Sequence, residues 1–156
     1  MIGRFINRLA NVLMARPPAL QVAALCLRET ALGTEVLLVR SLDRGNWIVP
    51  KGWPMKGRTL AQAAAQEAWE EAGVRGRIIE AASGSYTYGK RGPTGLPQPC
   101  RVQVFHLHVE TEADTYPESA RRARKWVPLT KAARKLAEPE LATLVAQLAQ
   151  DRGSPA

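Results

Sequence analysis

One short stretch constrains this chain more than any other. Thr59–Gly73, TLAQAAAQEAWEEAG, opens on a helix-capping residue, runs through alanines with no glycine or proline, and stops at a glycine. Alanine has the highest helix propensity, a threonine side chain can accept an orphan N–H at the N-cap, and glycine tolerates the left-handed turn that ends a helix. The stretch predicts a helix over Leu60–Ala72. That helix carries Glu67, Glu70 and Glu71 at spacings i, i+3 and i+4, so all three project from one face. No Lys or Arg lies between Thr59 and Gly73, although the whole chain has 22 Lys+Arg against 14 Asp+Glu, a net charge of +8. Three adjacent carboxylates repel, and at least one has a raised pKa unless a cation lies among them. All-oxygen ligands of this kind suit Mg²⁺ or Mn²⁺.

The segment just before the helix, Lys51–Gly57, is rich in Gly and Pro and reads as a loop. Gly52 and Gly57 permit close backbone approach. A carbonyl here can complete a metal's coordination shell, and Lys51 can meet a phosphate. Further out, Leu20–Arg28 and Glu35–Arg40 read as strands of a hairpin with Gly33 in its turn, and Asn46–Val49 is a short apolar stretch ended by Pro50. Arg77–Tyr88 and Cys100–Glu110 read as strands, with Gly89–Pro99 a long loop between them. A short strand is expected around Trp126, a short helix over Thr130–Leu136, and an amphipathic helix over Glu140–Gln150. Strands mixed with helices predict one α/β (α+β) domain over residues 18–150.

Residues 1–17 read as a basic amphipathic helix or arm, through Ile2, Phe5, Ile6, Leu9 and Leu13, ended by Pro17 and Pro18. It is a candidate for homodimer contacts. Residues 151–156 read as a flexible tail. No apolar run approaches the roughly 20 residues of a membrane span. Cys26 and Cys100 have no CxxC spacing and are expected as buried reduced thiols of a cytoplasmic protein. His106 and His108 share a strand face without a third nitrogen or sulfur ligand, and are expected to have structural or surface roles. The sequence pI of about 10.1 points to an anionic partner. Nucleic acid is possible but not favoured, because the basic clusters are not interleaved with aromatics as a base-stacking platform requires.

The segment Gly52–Val74 resembles the Nudix box, G-x5-E-x7-R-E-U-x-E-E-x-G-U with U a large apolar residue. Gly52, Glu67, Glu70, Glu71, Gly73 and Val74 match by position. Arg58 stands where the family has its first Glu, Gln66 where it has Arg, and Ala68 is small for a U position. The strand pair before the box, the turn Val49–Gly52 and the Trp126 segment with its following helices extend the resemblance over roughly residues 18–150.

The resemblance implies an αβα sandwich with a mixed central sheet, and metal-dependent hydrolysis of a diphosphate linkage. It implies Glu67 and Glu71 as metal ligands, with the Gly52 carbonyl a possible third and Glu70 the general base; Glu70 and Glu71 can exchange these roles. Within the family the chain is most similar to the diphosphoinositol polyphosphate phosphohydrolase group, through Trp47–Trp53, Tyr116–Ser119 and the cluster Arg121–Trp126. That similarity implies phosphate-gripping roles for Arg40, Lys51, Lys90, Arg91, Arg122 and Arg124. Diadenosine polyphosphates offer the same dense charge, with Tyr86, Tyr88 or Trp53 as candidate base-stacking residues. A further carboxylate from outside the box is expected among Glu110, Glu112 and Glu118. The competing reading is a catalytically weak Nudix-fold module that binds polyanions or nucleic acid, motivated by Arg58 and Gln66.

Overall fold

The computed structural model describes residues 17–91 and 95–153, without the side chains of Arg91 and Pro97. The expected N-terminal helix therefore lies outside the described residues but for Pro17, as do residues 154–156 of the expected tail.

Two strands form the centre. β1 (Ala19–Thr30) and β7 (Pro97–Glu112) pair in parallel from Ala19 opposite Cys100 to Leu27 opposite His108. Val22 through Leu27 of β1 are all buried, and they alternate between two separate cores. Ala23, Leu25 and Leu27 point into one core; Val22, Ala24 and Cys26 point into the other. An unbroken apolar run of this kind is what a strand covered on both faces requires. β2 (Gly33–Arg40) folds back on β1 as the hairpin reading predicts, but the turn is Ala31–Leu32, and Gly33, expected in the turn, opens β2 opposite Thr30. Outside β2 lie β3 (Trp47–Ile48) and β8 (Arg124–Pro128), both antiparallel to it.

Helix α1 (Leu60–Ala72) covers one face through Ala61, Ala64, Ala68 and Ala72. The other face is covered by α2 (Leu129–Ala132) and α3 (Pro139–Gly153), through Leu129, Ala132, Leu141 and Val145. The result is the expected αβα sandwich on a mixed sheet. Both cysteines are free and buried.

Several expected boundaries move. Arg77–Tyr88 is not one strand: β5 (Val74–Ile78) and β6 (Gly84–Arg91) are separate. Both are antiparallel to β7, β5 along Leu107–Glu112 and β6 along Pro97–Val104. The long β7 outruns either partner, so the chain breaks at 79–83 to serve it twice. The loop expected over Gly89–Pro99 shrinks, because both flanks belong to the β6–β7 hairpin. Pro97 and Pro99 precede the parallel ladder, which begins at Cys100, so their missing N–H groups cost that ladder nothing. Lys51 and Gly52 are not loop but a two-residue strand, β4, paired with Val22 and Ala23. The helix expected over Thr130–Leu136 is shorter and earlier, and α3 takes in residues 151–153 of the expected tail.

Candidate active site

The α1 carboxylates are positioned by the helix caps. The Thr59 hydroxyl accepts the Gln62 N–H at 3.1 Å, and the Gln62 side chain accepts the Thr59 N–H at 2.9 Å, a reciprocal capping box. At the other end Gly73 adopts φ 68°, and the Tyr116 ring packs where a Cβ would stand. The helix is thereby fixed at both ends, and Glu67 and Glu71 bring it against β4. A Cβ on Gly52 would fall on the Glu67 carboxylate, so this position needs glycine for the two to approach.

Each carboxylate has its own surroundings. Glu71 is buried; its Oε2 accepts the Lys51 N–H at 3.2 Å and its Oε1 lies 3.7 Å from Arg122 Nη2. Burial pushes its pKa up to about 7, against the opposing pull of Arg122 and the Lys51 N–H. Glu67 is also pushed up to about 7, by burial first and then by the charges of Glu71, Glu70 and Glu118. Glu70 accepts the Gln66 side-chain N–H at 3.0 Å through Oε1.

The cation missing from the helix arrives from elsewhere. The Arg122 side chain is only 7 % exposed. Its Nη1 donates to the Arg40 carbonyl at 2.9 Å, its Nη2 donates to Glu118 Oε1 at 3.2 Å, and its Nε is buried with no hydrogen-bond partner among the described residues. Glu118 in turn donates its backbone N–H to the Glu70 carbonyl. Of the three acids expected to join the cluster, the structure brings in Glu118. Glu112 instead accepts the Trp126 indole N–H and pairs with Arg28 and Arg124.

The predicted phosphate-binding residues separate. Lys51, Gly52, Glu67 and Lys90 line one cleft of about 370 Å³, together with Trp53 and Tyr88. Lys90 Nζ lies 5.0 Å from the centre of the Trp53 ring, and Lys51 Nζ 5.0 Å from that of Tyr88. Trp53 is half exposed, whereas Tyr86 is core. Arg40 is turned onto the Trp47 ring and donates to the Gly45 carbonyl, bracing the 41–46 turn. Arg124 donates to the Ala72 carbonyl at 2.7 Å and stacks on Tyr116, capping the C-terminal end of α1. The Arg91 side chain lies outside the described set. His106 and His108 are half-buried on β7, their pKa values lowered first by burial.

The donor set fits a hard divalent cation. Glu67, Glu70, Glu71 and the Gly52 carbonyl offer only oxygen, and Gly52 keeps the room that Glu67 occupies. Their side chains are not drawn to one point: among the described residues no three His, Cys, Asp or Glu groups converge as a preformed metal cluster.

The carboxylate helix, capped at both ends, thus lies on one face of a mixed sheet beside the glycine-containing strand β4. A family model of the NUDIX domain matches residues 18–148, and the chain belongs to that family. Two curated relatives from Arabidopsis thaliana are named Nudix hydrolase 16, mitochondrial, and Nudix hydrolase 12, mitochondrial. The first is 33 % identical over 117 residues, covering 71 % of this chain and 63 % of the relative. The second is 34 % identical over 101 residues, covering 63 % and 50 %. The chain thus spans between half and two thirds of the length of these relatives. Among solved structures, a C. elegans Ap4A hydrolase binary complex aligns with TM-score 0.65 at 23 % identity, over 85 % of this chain and 96 % of that one. The E. coli dihydroneopterin triphosphate pyrophosphohydrolase aligns with TM-score 0.65 at 18 % identity, over 85 % and 95 %. These structural likenesses establish the fold. No helix among the described residues is long and apolar enough to cross a membrane.

Proposed function

We propose that this chain is a divalent-metal-dependent pyrophosphohydrolase that cleaves a diphosphate linkage in a highly phosphorylated small molecule by water attack. The substrate is of the diphosphoinositol polyphosphate or diadenosine polyphosphate type. The observation that carries the reading is Glu67 in the lining of a cleft that Lys51, Lys90, Trp53 and Tyr88 also line. Family membership supports the reaction class.

A divalent ion, Mg²⁺ or Mn²⁺, would supply charge neutralisation for the diphosphate and activation of the attacking water. Glu67, Glu71 and the Gly52 carbonyl are the oxygens that would hold the ion. Glu70 accepts the proton as water attacks phosphorus; the bridging P–O bond breaks and its electrons leave with the departing phosphate. Lys51 and Lys90 meet the flanking phosphates. The two aromatic rings beside them suit a purine as well as an inositol edge, and the similarity to an Ap4A hydrolase fold favours testing dinucleotides first. Buried free thiols at Cys26 and Cys100 fit a reducing, cytoplasmic compartment.

The test is phosphate release with Mg²⁺ or Mn²⁺ across diadenosine polyphosphates, diphosphoinositol polyphosphate, nucleoside diphosphate sugars, nucleoside triphosphates and capped RNA. The expected result is turnover of one class, abolished by Glu70→Gln. Tight binding of these anions without turnover would replace the hydrolase with the polyanion-binding module that Arg58 and Gln66 motivate.

A further inference from the structure

A second hollow, of about 530 Å³, lies between α1 and β5, along the flank of the helix formed by Gln62, Ala65, Gln66 and Trp69. Glu67 is on another flank and lines the first cleft. The second hollow shares no lining residue with that cleft. Its size falls within the roughly 300–1,000 Å³ of small-molecule sites, which combine an apolar wall with a few polar groups.

The lining has both parts. Ala65, Trp69, Ile78 and Leu107 supply the apolar wall. The polar side chains have donors left over and no acceptor left over. Arg58 uses one N–H on Gln66 Oε1, at 2.9 Å, and a guanidinium has five. The Gln66 amide is engaged at both ends, by Arg58 and by Glu70. The Gln62 amide oxygen accepts the Thr59 N–H, which leaves the Gln62 NH₂ group. Arg75 lies 3.9 Å from the centre of the Trp69 ring, with no hydrogen bond or carboxylate partner among the described residues. No Asp or Glu lines this hollow among the described residues, whereas Asp43, Glu67 and Glu138 all line the first cleft.

A ligand that satisfies such a lining must bring the acceptors itself. Two guanidinium groups and an amide suit a phosphate, whose several oxygens accept charge-assisted hydrogen bonds. A flat ring suits the rest, because an indole and a guanidinium both take a stacked ring. We propose that this hollow is a second ligand site, separate from the diphosphate cleft, for a planar aromatic phosphate of the purine nucleoside monophosphate kind. Arg58, Arg75 and the Gln62 amide meet the phosphate, and the ring lies against Trp69 and Ile78. The proposal does not depend on what the first cleft hydrolyses.

The experiment uses the full chain in EDTA and ¹H–¹⁵N spectra that resolve the indole signals of its 4 tryptophans. Trp69 is assigned with Trp69→Phe, and the probes are AMP, adenosine and ribose 5-phosphate. AMP is expected to shift the Trp69 signal saturably. Losing one charged contact corresponds to roughly tenfold in Kd or more. Adenosine, Arg58→Gln and Arg75→Gln are each expected to show at least that loss, and ribose 5-phosphate a comparable one. Both arginines are exposed, and circular dichroism checks that the variants fold. Lys90→Ala, on the first cleft, is expected to leave the Trp69 titration unchanged.

A Trp69 signal indifferent to AMP overturns the proposal. So does a response confined to Trp53 and removed by Lys90→Ala, which assigns the nucleotide to the first cleft. Adenosine binding as tightly as AMP, or AMP affinity unchanged in both arginine variants, overturns the phosphate contacts and the site with them. A Trp69 shift that follows protein concentration rather than AMP makes the hollow a contact between copies of the chain instead.

Discussion

At the scale of single residues, the site is a problem in burying negative charge. Glu67 and Glu71 are both raised from 4.5 to about 7, which makes the metal-free protein's stability depend on pH. Below about pH 4.5 these two groups are protonated in both states and contribute no difference. Between 4.5 and 7 the folded state binds more protons than the unfolded one, so stability falls as pH rises, and the loss is complete above about 7. His106 and His108, lowered by burial, act in the opposite sense below 6.5. Thermal melts in EDTA at pH 5 and pH 8 should therefore be compared between wild type and Glu71→Gln. The variant is expected to lose less stability on going to pH 8, and an equal loss would show that Glu71 does not titrate as described. The three glutamates and Gly52 were legible in the sequence because helical spacing and a glycine turn are local signals. Arg122 was legible only as a basic residue, read as a grip for phosphate, because nothing in RRARK says which side chain turns inward. Its clue was Glu118 four residues earlier, the spacing of an intrahelical pair in a stretch that is not a helix.

At the scale of elements, α1 was read to its last residue because both caps are written in sequence. The capping box at Thr59 anchors the end from which Arg58 reaches Gln66. Thr59→Ala should cost about 1 kcal/mol, measured by urea denaturation, and an unchanged midpoint would mean the cap contributes nothing. Strands were less legible. Arg77–Tyr88 looks continuous by propensity, yet Glu80–Ser85 reads EAASGS, a turn composition that marks the observed break at 79–83. β4 was missed for another reason: two residues flanked by prolines carry no periodicity, and only the pairing of Gly52 with Val22 makes them a strand. That pairing sets the Gly52 carbonyl and the Lys51 N–H against α1, so the element hardest to read is the one that joins the two halves of the site.

At the scale of the whole molecule, the net charge of +8 and the cleft's lysines have a measurable consequence. For a substrate carrying several phosphates, raising NaCl from 50 to 300 mM should raise KM several-fold while kcat changes little, because attraction between solvent-exposed charges is screened beyond about 10 Å at 0.1 M salt. A KM indifferent to salt would exclude charge-led capture. The two-faced sheet was legible in outline from the apolar run of β1, while the partner of β1 was not, since parallel pairing across a long separation leaves no local trace.

That parallel pairing also orders events during synthesis. β1 leaves the ribosome long before β7, and Ala19–Leu27 has no parallel neighbour until residues 100–108 have followed. Helix α1, with its three carboxylates, emerges in the interval. Its counter-charge, Arg122, comes later still. The acidic face therefore waits while the residues between Ala72 and Arg122 are made and is enclosed only when the chain that neutralises it arrives. A ribosome stalled with residues up to about 115 exposed would present a nascent chain in which Glu71 still lacks its Arg122 partner.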